Sequence, residues 1–313
     1  LTTLVLMKQK KKIILLAGPT ASGKSKLSIM IAKFFGGEII NADSMQIYKE
    51  ISILSSKPSK EDTKIIKHHL YGFNPVKKKF SVGEWLDLAK QKIEDQWRNK
   101  KIPIIVGGTG LYFKALTDGL VKIDDIPNSL RDEIRNLHDK IGQKKFFEKL
   151  IELDPIAKNF ILQTDSHRSM RAYEVKKFTS KSLFDFIKET KPNYSNGIFK
   201  KIFINAPAEQ LHIKIEKRVE KMFKDGAIKE VENFLNMKVY RELSANKIIG
   251  IKEIKDLLSK KITLEKAKEL VVQKTRQYAK RQFTWSRGHM KSWEMIYSSN
   301  INDLFNKIIN KIS

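Results

Sequence analysis

The sequence predicts an α/β fold in which a parallel sheet is covered by helices on both faces. Three apolar segments, Ile13–Ala17, Glu38–Asn41 and Ile102–Val106, have the composition of buried strands. Helix-patterned sequence separates them, at about 24–35 and at Val82–Asn99. Strands that alternate with helices along a chain form parallel sheets, because each crossover helix returns the chain to the edge where the previous strand began.

A long helical stretch and a fourth strand complete the predicted organisation. Residues 121–199 are amphipathic without a strong strand signal, and the apolar segment Lys201–Ile204 then reads as a strand. We therefore predict a catalytic core made of 8–120 and 200–313, with 121–199 as an inserted all-helical domain. From Glu209 onward nearly all of the sequence has a helical pattern, which predicts a helical C-terminal region.

A glycine-rich turn follows the first predicted strand. Its residues, Gly18, Pro19, Thr20, Ala21, Ser22, Gly23, Lys24 and Ser25, fit G-x-x-x-x-G-K-[ST]. A strand before the motif and a helix after it are typical of a P-loop, so the predicted sheet is P-loop NTPase-like. The backbone N–H groups of such a loop bind anions. Lys24 adds a positive charge, and Ser25 offers a hydroxyl to Mg²⁺. The motif predicts binding of a diphosphate or triphosphate.

The charge balance indicates a polyanionic partner. The 313 residues contain 61 Lys+Arg against 35 Asp+Glu, a net charge of +26, and nucleic acid is the usual partner for such an excess. A proteome-wide bias towards lysine, as an AT-rich genome produces, accounts for many of the lysines but not for the clustered arginines. The absence of cysteine excludes disulfides and cysteine-based metal sites.

The compartment expected from the sequence is the cytoplasm. No apolar run has the length of a membrane span. The apolar residues Leu1–Leu6 precede a basic cluster, which is the reverse of a signal peptide. We assign no function to Leu1–Leu6 and expect Met7 to be the start.

Two basic clusters are candidate RNA-binding segments. The C-terminal one combines Lys274, Arg276, Lys280, Arg281, Arg287 and Lys291 with Tyr278, Phe283, Trp285 and Trp293. Basic side chains bind phosphates and aromatic rings stack on bases, as single-stranded or loop RNA requires. A solvated helix face with core aromatics is the alternative. The second cluster, His167–Arg171, places two arginines on one helix face within the predicted insertion.

Asp43 and Thr109 each follow a predicted strand. The carboxyl ends of neighbouring parallel strands line one crevice, so both residues should lie near the P-loop. A turn-capping role is the alternative for Asp43. A P-loop ATPase usually ends a later strand with a magnesium-binding Asp, but here Ile102–Val106 runs into Gly107 and Gly108. This disfavours ATP hydrolysis and leaves open a transferase that holds a leaving diphosphate.

Taken in chain order, these segments resemble the tRNA dimethylallyltransferases. Besides the P-loop, the matching segments are Asp43–Tyr48, Lys57-Pro58, His68–Leu70, Phe80–Val82, Val106–Tyr112, His167–Ala172 and Thr275–Arg287. They span nearly the whole chain, and Asp-Ser-Met-Gln, Gly-Gly-Thr-Gly-Leu-Tyr and Lys-Arg-Gln-x-Thr-Trp are far more specific than a P-loop. Because the chain has no cysteine for the zinc finger of eukaryotic relatives, a bacterial-type member is favoured.

The resemblance implies a reaction and a set of catalytic residues. In this family dimethylallyl diphosphate donates its five-carbon group to the exocyclic amine of the adenosine 3′ to the anticodon, and diphosphate leaves. The P-loop holds the donor rather than ATP. By matching position, Asp43 is the general base, and Thr109 positions a reactant or the oxygens of the leaving group. Lys24, Ser25 and Arg218 hold the diphosphate with Mg²⁺.

The resemblance also implies which residues face the anticodon stem-loop of tRNA. They are Asp43, Ser44, Met45 and Gln46; His167, Arg168, Ser169, Met170 and Arg171; Lys247, Gly250 and Lys252; and Lys280, Arg281, Gln282, Phe283, Thr284, Trp285, Ser286 and Arg287. We expect a monomer. One departure from the family pattern concerns Leu54, which stands where the family usually has glycine.

Three alternatives remain at this point. A P-loop small-molecule kinase would hydrolyse or transfer from a nucleoside triphosphate, and it needs neither the helical insertion nor the basic tail. An adenylate prenyltransferase would perform the same chemistry on a free nucleotide, without a use for Arg276–Arg287. A non-catalytic RNA-binding module leaves Asp43 and the P-loop without a task.

Overall fold

A six-stranded parallel sheet forms the centre of the computed structural model, which describes residues 11–312. Its strands are β1 (Ile13–Ala17), β2 (Gly37–Asn41), β3 (His68–His69), β4 (Ile102–Gly107), β5 (Phe199–Asn205) and β6 (Glu294–Tyr297), in the spatial order β3-β2-β4-β1-β5-β6. The four predicted strands and the parallel sheet are confirmed. The expectations for Leu1–Leu6 and Met7 lie outside the described residues.

Two strands differ from the prediction. The short strand β3 pairs with β2, and β6 pairs with β5 inside the region expected to be nearly all helical. In β6 only Ile296 is buried, while Glu294 and Tyr297 are exposed. A four-residue edge strand with one buried side chain gives no contiguous apolar run, so the sequence pattern after Glu209 does not predict it.

The described part of the chain contains twelve α-helices. They are α1 (Lys24–Phe35), α2 (Lys60–Ile65), α3 (Val82–Arg98), α4 (Gly110–Asp118), α5 (Asn128–Leu153), α6 (Ser166–Thr179), α7 (Leu183–Glu189), α8 (Ala208–Lys224), α9 (Ala227–Asn236), α10 (Ile251–Leu258), α11 (Leu264–His289) and α12 (Ile301–Ile312). None of the helices in residues 11–312 has both the length and the apolar content of a membrane span.

Local sequence explains where the helices on the sheet begin and end. Ser81 starts α3 with a capping box: its hydroxyl accepts from the Glu84 N–H, and the Glu84 carboxylate accepts from the Ser81 N–H. Gly36 ends α1 in the left-handed conformation, which glycine adopts without steric cost. The apolar faces of α1 and α12 pack with β1, β2, β4, β5 and β6 in one core, so the edge of the sheet that carries the P-loop is held rigidly.

A second compact unit, Leu116–Asn193, is built from helices alone. Its own core contains Leu150, Ala157, Ile161, Ala172 and Phe184. It overlaps the predicted insertion at 121–199, whose contact with tRNA stays a prediction. The remaining described residues form the first unit, which contains the whole sheet.

Candidate active site

The P-loop lines a cationic cavity at the carboxyl edge of the sheet. The cavity measures about 270 Å³, and Thr20–Ser25, Lys26, Asp43, Lys214 and Arg218 are among its lining residues. The Lys24 ammonium donates to the Pro19 carbonyl at 2.6 Å. Burial lowers the pKa of Lys24 to about 7, while Asp43 opposes and Arg218 adds to the shift. The cavity is thus lined by four basic side chains and one carboxylate, an arrangement suited to a multiply charged anion. The basic residues are Lys24, Lys26, Lys214 and Arg218, and the carboxylate is Asp43.

Arg218 reaches this cavity from α8. Its Nη1 donates to the Thr20 hydroxyl at 3.0 Å, which ties α8 to the P-loop. Burial lowers the pKa of the guanidinium, and Asp43 opposes the shift. The buried Nε–H has no hydrogen-bond partner among residues 11–312. Because a buried donor without a partner is costly, an anionic ligand would satisfy it.

Asp43 is fixed by its own turn and by Asn41 at the end of β2. Asn41 Oδ1 accepts from the Asp43 N–H at 2.8 Å, and Asn41 Nδ2 donates to the carbonyls of Asp43 and Leu70, each at 2.9 Å. Asp43 Oδ1 accepts from the Met45 N–H at 2.9 Å. This capping bond was the alternative considered for Asp43, and it occupies Oδ1. In the described part of the chain no donor bonds to Oδ2, so that oxygen can act on a ligand.

Phenol groups near Asp43 stay protonated around neutral pH. The pKa values of Tyr71, Tyr112 and Tyr278 are all raised, first by burial and then by the negative charge of Asp43. Tyr71 lines the cationic cavity. Asp43 is the only carboxylate among the residues that line the cavity, so it is the group in place to accept a proton.

Thr109 ties the turn after β4 to the turn after β2. Its hydroxyl oxygen accepts from the Ser44 N–H at 2.9 Å and lies 3.3 Å from the Ser44 hydroxyl, to which it donates. The Thr109 N–H donates to the Ala42 carbonyl at 3.1 Å. The expected convergence of Asp43, Thr109 and the P-loop at one edge of the sheet is thus confirmed, and Thr109 holds the backbone next to Asp43.

Gln282 connects α11 to both glycine-rich turns. Its Oε1 accepts from the Thr20 N–H at 2.8 Å, and its Nε2 donates to the Gly108 carbonyl at 3.0 Å. Glycine is needed for this approach, because a Cβ on Gly108 would lie 2.0 Å from Gln282 Nε2 and one on Gly110 would lie 2.2 Å from the Trp285 ring. The helix that carries the basic-aromatic stretch therefore also positions the P-loop.

We expect Gln282→Leu to lower the free energy of unfolding by about 1–3 kcal/mol, because it leaves Thr20 N–H and the Gly108 carbonyl without their partner. Chemical denaturation measures the change. The matched control is Gln277→Leu at an exposed position of the same helix. Equal stability of the two variants would show that the Gln282 bonds do not hold the loop.

A second cavity adjoins the first and has aliphatic walls. It measures about 280 Å³ and shares Thr20, Asp43, Ser55 and Arg218 with the cationic cavity. Its apolar lining residues are Met45, Leu54, Val219, Met222, Ile248, Ile249 and Val271, and its other polar ones are Lys247, Thr275, Tyr278 and Arg281. Asp43 therefore stands where a cationic cavity meets an aliphatic one.

The residues expected to face tRNA fall into three groups by exposure. The exposed ones are His167, Arg168, Lys247, Lys252, Lys280, Arg281, Thr284 and Arg287; the half-buried ones are Asp43, Ser44, Met45, Gln46, Met170, Arg171, Phe283 and Trp285; the buried ones are Ser169, Gly250, Gln282 and Ser286. The Ser169 and Ser286 hydroxyls donate to carbonyls of their own helices. The structure therefore corrects the expectation for the side chains of Ser169, Gln282 and Ser286, which protein atoms enclose.

Part of the C-terminal basic stretch is also structural. Lys274 pairs with Glu253, and Arg276 pairs with Glu216. Trp293 is buried against Phe113, with ring centroids 5.3 Å apart. These members fit the alternative of a helix face with core aromatics, and the exposed cations of the basic stretch that lie on α11 are Lys280, Arg281 and Arg287.

The sequence did not predict that Trp85 and Tyr112 support the end of β2, which carries Asn41 next to Asp43. Trp85 Nε1 donates to the Asn41 carbonyl at 2.7 Å, and the Trp85 ring stacks on Tyr112 at 4.3 Å. The only signal in the sequence was a polar residue, Asn41, ending an apolar strand two positions before Asp43.

Comparison with known proteins adds to this geometry. The IPP transferase family model matches residues 46–289, and the isopentenyl transferase model matches residues 11–76. A tRNA dimethylallyltransferase of Pelagibacter ubique (strain HTCC1062) is 50% identical over 287 residues, covering 92% of each chain. One from Rickettsia felis (strain ATCC VR-1525 / URRWXCal2) is 42% identical over 306 residues, covering 97% of this chain and 98% of that one.

Solved structures agree with these relatives. A tRNA isopentenylpyrophosphate transferase from Bacillus halodurans has 30% identity and a TM-score of 0.68, covering 96% of this chain and 97% of its own. A eukaryotic dimethylallyltransferase acting on tRNA has 28% identity and a TM-score of 0.80, covering 93% and 75%. Similarity of this extent, together with the cavities around Asp43, favours prenyl transfer over a kinase or a non-catalytic module. The chain belongs to the IPP transferase family of prenyltransferase enzymes, the family that the sequence motifs predicted.

Proposed function

We propose that this enzyme transfers the dimethylallyl group of dimethylallyl diphosphate to the exocyclic amine of the adenosine 3′ to the anticodon in tRNA. The observation that supports it best is the position of Asp43, which lines both the cationic and the aliphatic cavity. A donor with an anionic head and a branched hydrocarbon tail matches two such adjoining cavities. The named relatives act on tRNA.

The cationic cavity suits the diphosphate. Lys24, Lys26, Lys214 and Arg218 line it, and the P-loop N–H groups lie at the start of α1. When diphosphate departs, negative charge develops on its oxygens. Fixed cations and N–H groups stabilise that charge without reorganising, which is the largest contribution to many enzymatic rates.

The residues present also fit a magnesium ion carried by the donor. Ser25 is exposed and lines the cationic cavity. Residues 11–312 contain no cluster of three His, Cys, Asp or Glu that could hold a metal by itself. Mg²⁺ is commonly bound through substrate phosphates and few protein ligands. We propose that Ser25 contributes a hydroxyl ligand, and that bound Mg²⁺ supplies neutralisation of the diphosphate charge.

The proposed step transfers the dimethylallyl group by displacement of diphosphate. The adenine N6 forms a bond to C1 of the dimethylallyl group, while the bond between C1 and the diphosphate oxygen breaks and its electron pair leaves with the diphosphate. N6 loses one proton, which the Asp43 carboxylate accepts. A positioned general base of this kind contributes about 10²–10⁴-fold in rate. Arg218 and Lys24 stabilise the leaving group.

The adenosine must leave its stack to reach Asp43. Unstacking costs a few kcal/mol, which contacts to the rest of the loop must offset. The exposed cations Lys280, Arg281 and Arg287 of α11 lie on the helix whose Gln282 holds the P-loop. Arg281 also lines the aliphatic cavity that contains Asp43. We propose that these cations bind the phosphates of the anticodon stem-loop.

Nucleoside mass spectrometry tests the proposed function. An unmodified tRNA is incubated with the enzyme and dimethylallyl diphosphate, and free AMP and ATP are supplied in parallel reactions. We expect one adenosine in tRNA to gain a C5H8 unit, with no prenylated AMP and no ATP turnover. Prenylated AMP alone would identify an adenylate prenyltransferase, and ATP turnover without prenylation would identify a kinase.

We expect Arg281→Gln with Arg287→Gln to flatten the salt dependence of stem-loop affinity. Each lost phosphate contact lowers the slope of log K against log salt by about 0.7–0.9. Binding titrations at several salt concentrations measure the slope. Lys33→Gln with Lys64→Gln, two exposed lysines on other helices, is the charge-matched control. An unchanged slope in the arginine variant would mean that these cations do not contact RNA.

A further inference from the structure

The segment Ile51–Ser56 forms a wall that the two cavities share. Ser55 lines both cavities, Ser56 lines the cationic one, and Leu54 lines the aliphatic one. The Leu54 side chain is buried, with 7% exposure. Its position therefore bears directly on the space beside Asp43.

Glu230 of α9 holds this wall from behind. Its Oε1 accepts from the N–H groups of Ser52 at 2.6 Å and Ile53 at 2.8 Å, and its Oε2 accepts from the Leu54 N–H at 2.9 Å. Successive N–H groups that converge on one anion form a nest. Hydrogen bonds to a charged acceptor are stronger than neutral ones, so this carboxylate fixes the backbone on which Leu54 stands.

Two further contacts prevent Leu54 from leaving the cavity. Gln46 Nε2 donates to the carbonyls of Ser55 at 3.0 Å and Ser56 at 2.8 Å. Behind the side chain lies Gly250, where a Cβ would come within 2.6 Å of Leu54 Cδ2. Gly250 has φ of 107°, which other residues rarely adopt. The isobutyl group is therefore confined between the Gly250 backbone and the cavity.

The geometry points to Leu54 as the residue that limits the length of the isoprenoid tail, and to Glu230 as the positioning residue that keeps it there. This inference rests on the proposed function, because it concerns the donor of that reaction. A five-carbon tail is accommodated against Leu54, and an allylic diphosphate with a further isoprene unit meets the isobutyl group.

The lining favours the tail over the adenine as the occupant next to Leu54. Leu54, Val219, Met222, Ile248 and Val271 line the cavity, and their side chains carry no N–H or O–H group. A branched hydrocarbon needs no such group, whereas the edge of a purine would lose hydrogen bonds to water there. The ring of Tyr278 and the cation Arg281, which suit a nucleobase, line the same cavity.

A comparison of two donors of different length tests the inference. Wild type and Leu54→Ala are assayed with dimethylallyl diphosphate and with geranyl diphosphate on the same tRNA. The kcat/KM for each donor is measured, and the geranyl-to-dimethylallyl ratio of these values is compared between the two proteins. We expect Leu54→Ala to raise the geranyl-to-dimethylallyl ratio tenfold or more, the scale on which pockets discriminate hydrocarbon length. Glu230→Gln, which replaces one acceptor oxygen by an amide nitrogen, should raise the ratio in the same direction.

The control is Ile53→Ala, the neighbouring aliphatic residue of the same wall, whose side chain packs against the same core cluster as Leu54 but does not line the aliphatic cavity. Its donor ratio should stay within twofold of wild type. An unchanged geranyl-to-dimethylallyl ratio in Leu54→Ala would overturn the inference. An increase in the KM for tRNA as the only change would also overturn it, because it would place the adenosine rather than the tail next to Leu54. Wild type that prenylates no tRNA with dimethylallyl diphosphate would instead contradict the proposed function.

Discussion

Asp43→Ala lowers kcat by about 10²–10⁴-fold, because the reaction loses the carboxylate that accepts the N6 proton. The affinity for tRNA persists, since the fold around Asp43 is held by Asn41, Trp85 and Thr109 rather than by its carboxylate alone. Single-turnover kinetics with saturating donor and tRNA measure the chemical step, and a binding titration measures the affinity.

Asp43→Asn separates the chemical role from the structural one. The amide oxygen can still accept from the Met45 N–H, as Asp43 Oδ1 does at 2.9 Å, but the amide is too weak a base to take the proton. We expect this variant to be as slow as Asp43→Ala with an unchanged melting temperature. Normal turnover in Asp43→Asn would remove Asp43 as the base.

Arg218→Ala lowers kcat/KM for dimethylallyl diphosphate by about 10²–10³-fold, the range found when one preorganised donor to a developing oxyanion is lost. Arg218 of α8 donates a hydrogen bond to Thr20 of the P-loop, and its Nε–H is buried without a partner among the described residues. Steady-state assays that vary the donor measure the loss, which should appear in kcat as well as in KM.

Arg218→Lys is the control for charge alone. Lysine keeps the positive charge but lacks the planar fork of donors that would let one side chain bond Thr20 and the proposed diphosphate at the same time. We expect an intermediate loss in this variant. Full activity in Arg218→Ala would show that the diphosphate departs without the guanidinium, and the P-loop would then have to stabilise it alone.

The strands were predictable where burial makes a contiguous apolar run. All five residues of β1 are buried, and the same holds for the six residues of β4, so both have continuous hydrophobic sequence. In the strand β6 at the edge of the sheet only Ile296 is buried, and one buried residue forms no periodic pattern that the sequence could show. Its place is fixed by pairing with β5, which is a tertiary contact.

The site was predictable to the extent that topology alone determines it. The carboxyl ends of parallel strands share one edge, and this placed Asp43 and Thr109 beside the P-loop. The hydrogen bond from Thr20 to Gln282 joins residues 262 positions apart, and those from Ser52–Leu54 to Glu230 span 176 to 178 positions. Separations of this size leave no local pattern. The resemblance gave Gln282 a role towards tRNA because it lies within the segment Lys280–Arg287, which faces the tRNA in the family.

In the proposed reaction an unstacked adenosine and the donor meet at Asp43. A crystal structure of Asp43→Asn with an unreactive thio analogue of dimethylallyl diphosphate and an anticodon stem-loop tests it most directly. We expect the diphosphate on the P-loop and Arg218, the tail against Leu54, and the adenine N6 within hydrogen-bond distance of residue 43. An adenosine still stacked in the RNA loop, or a diphosphate bound away from Lys24, would contradict it.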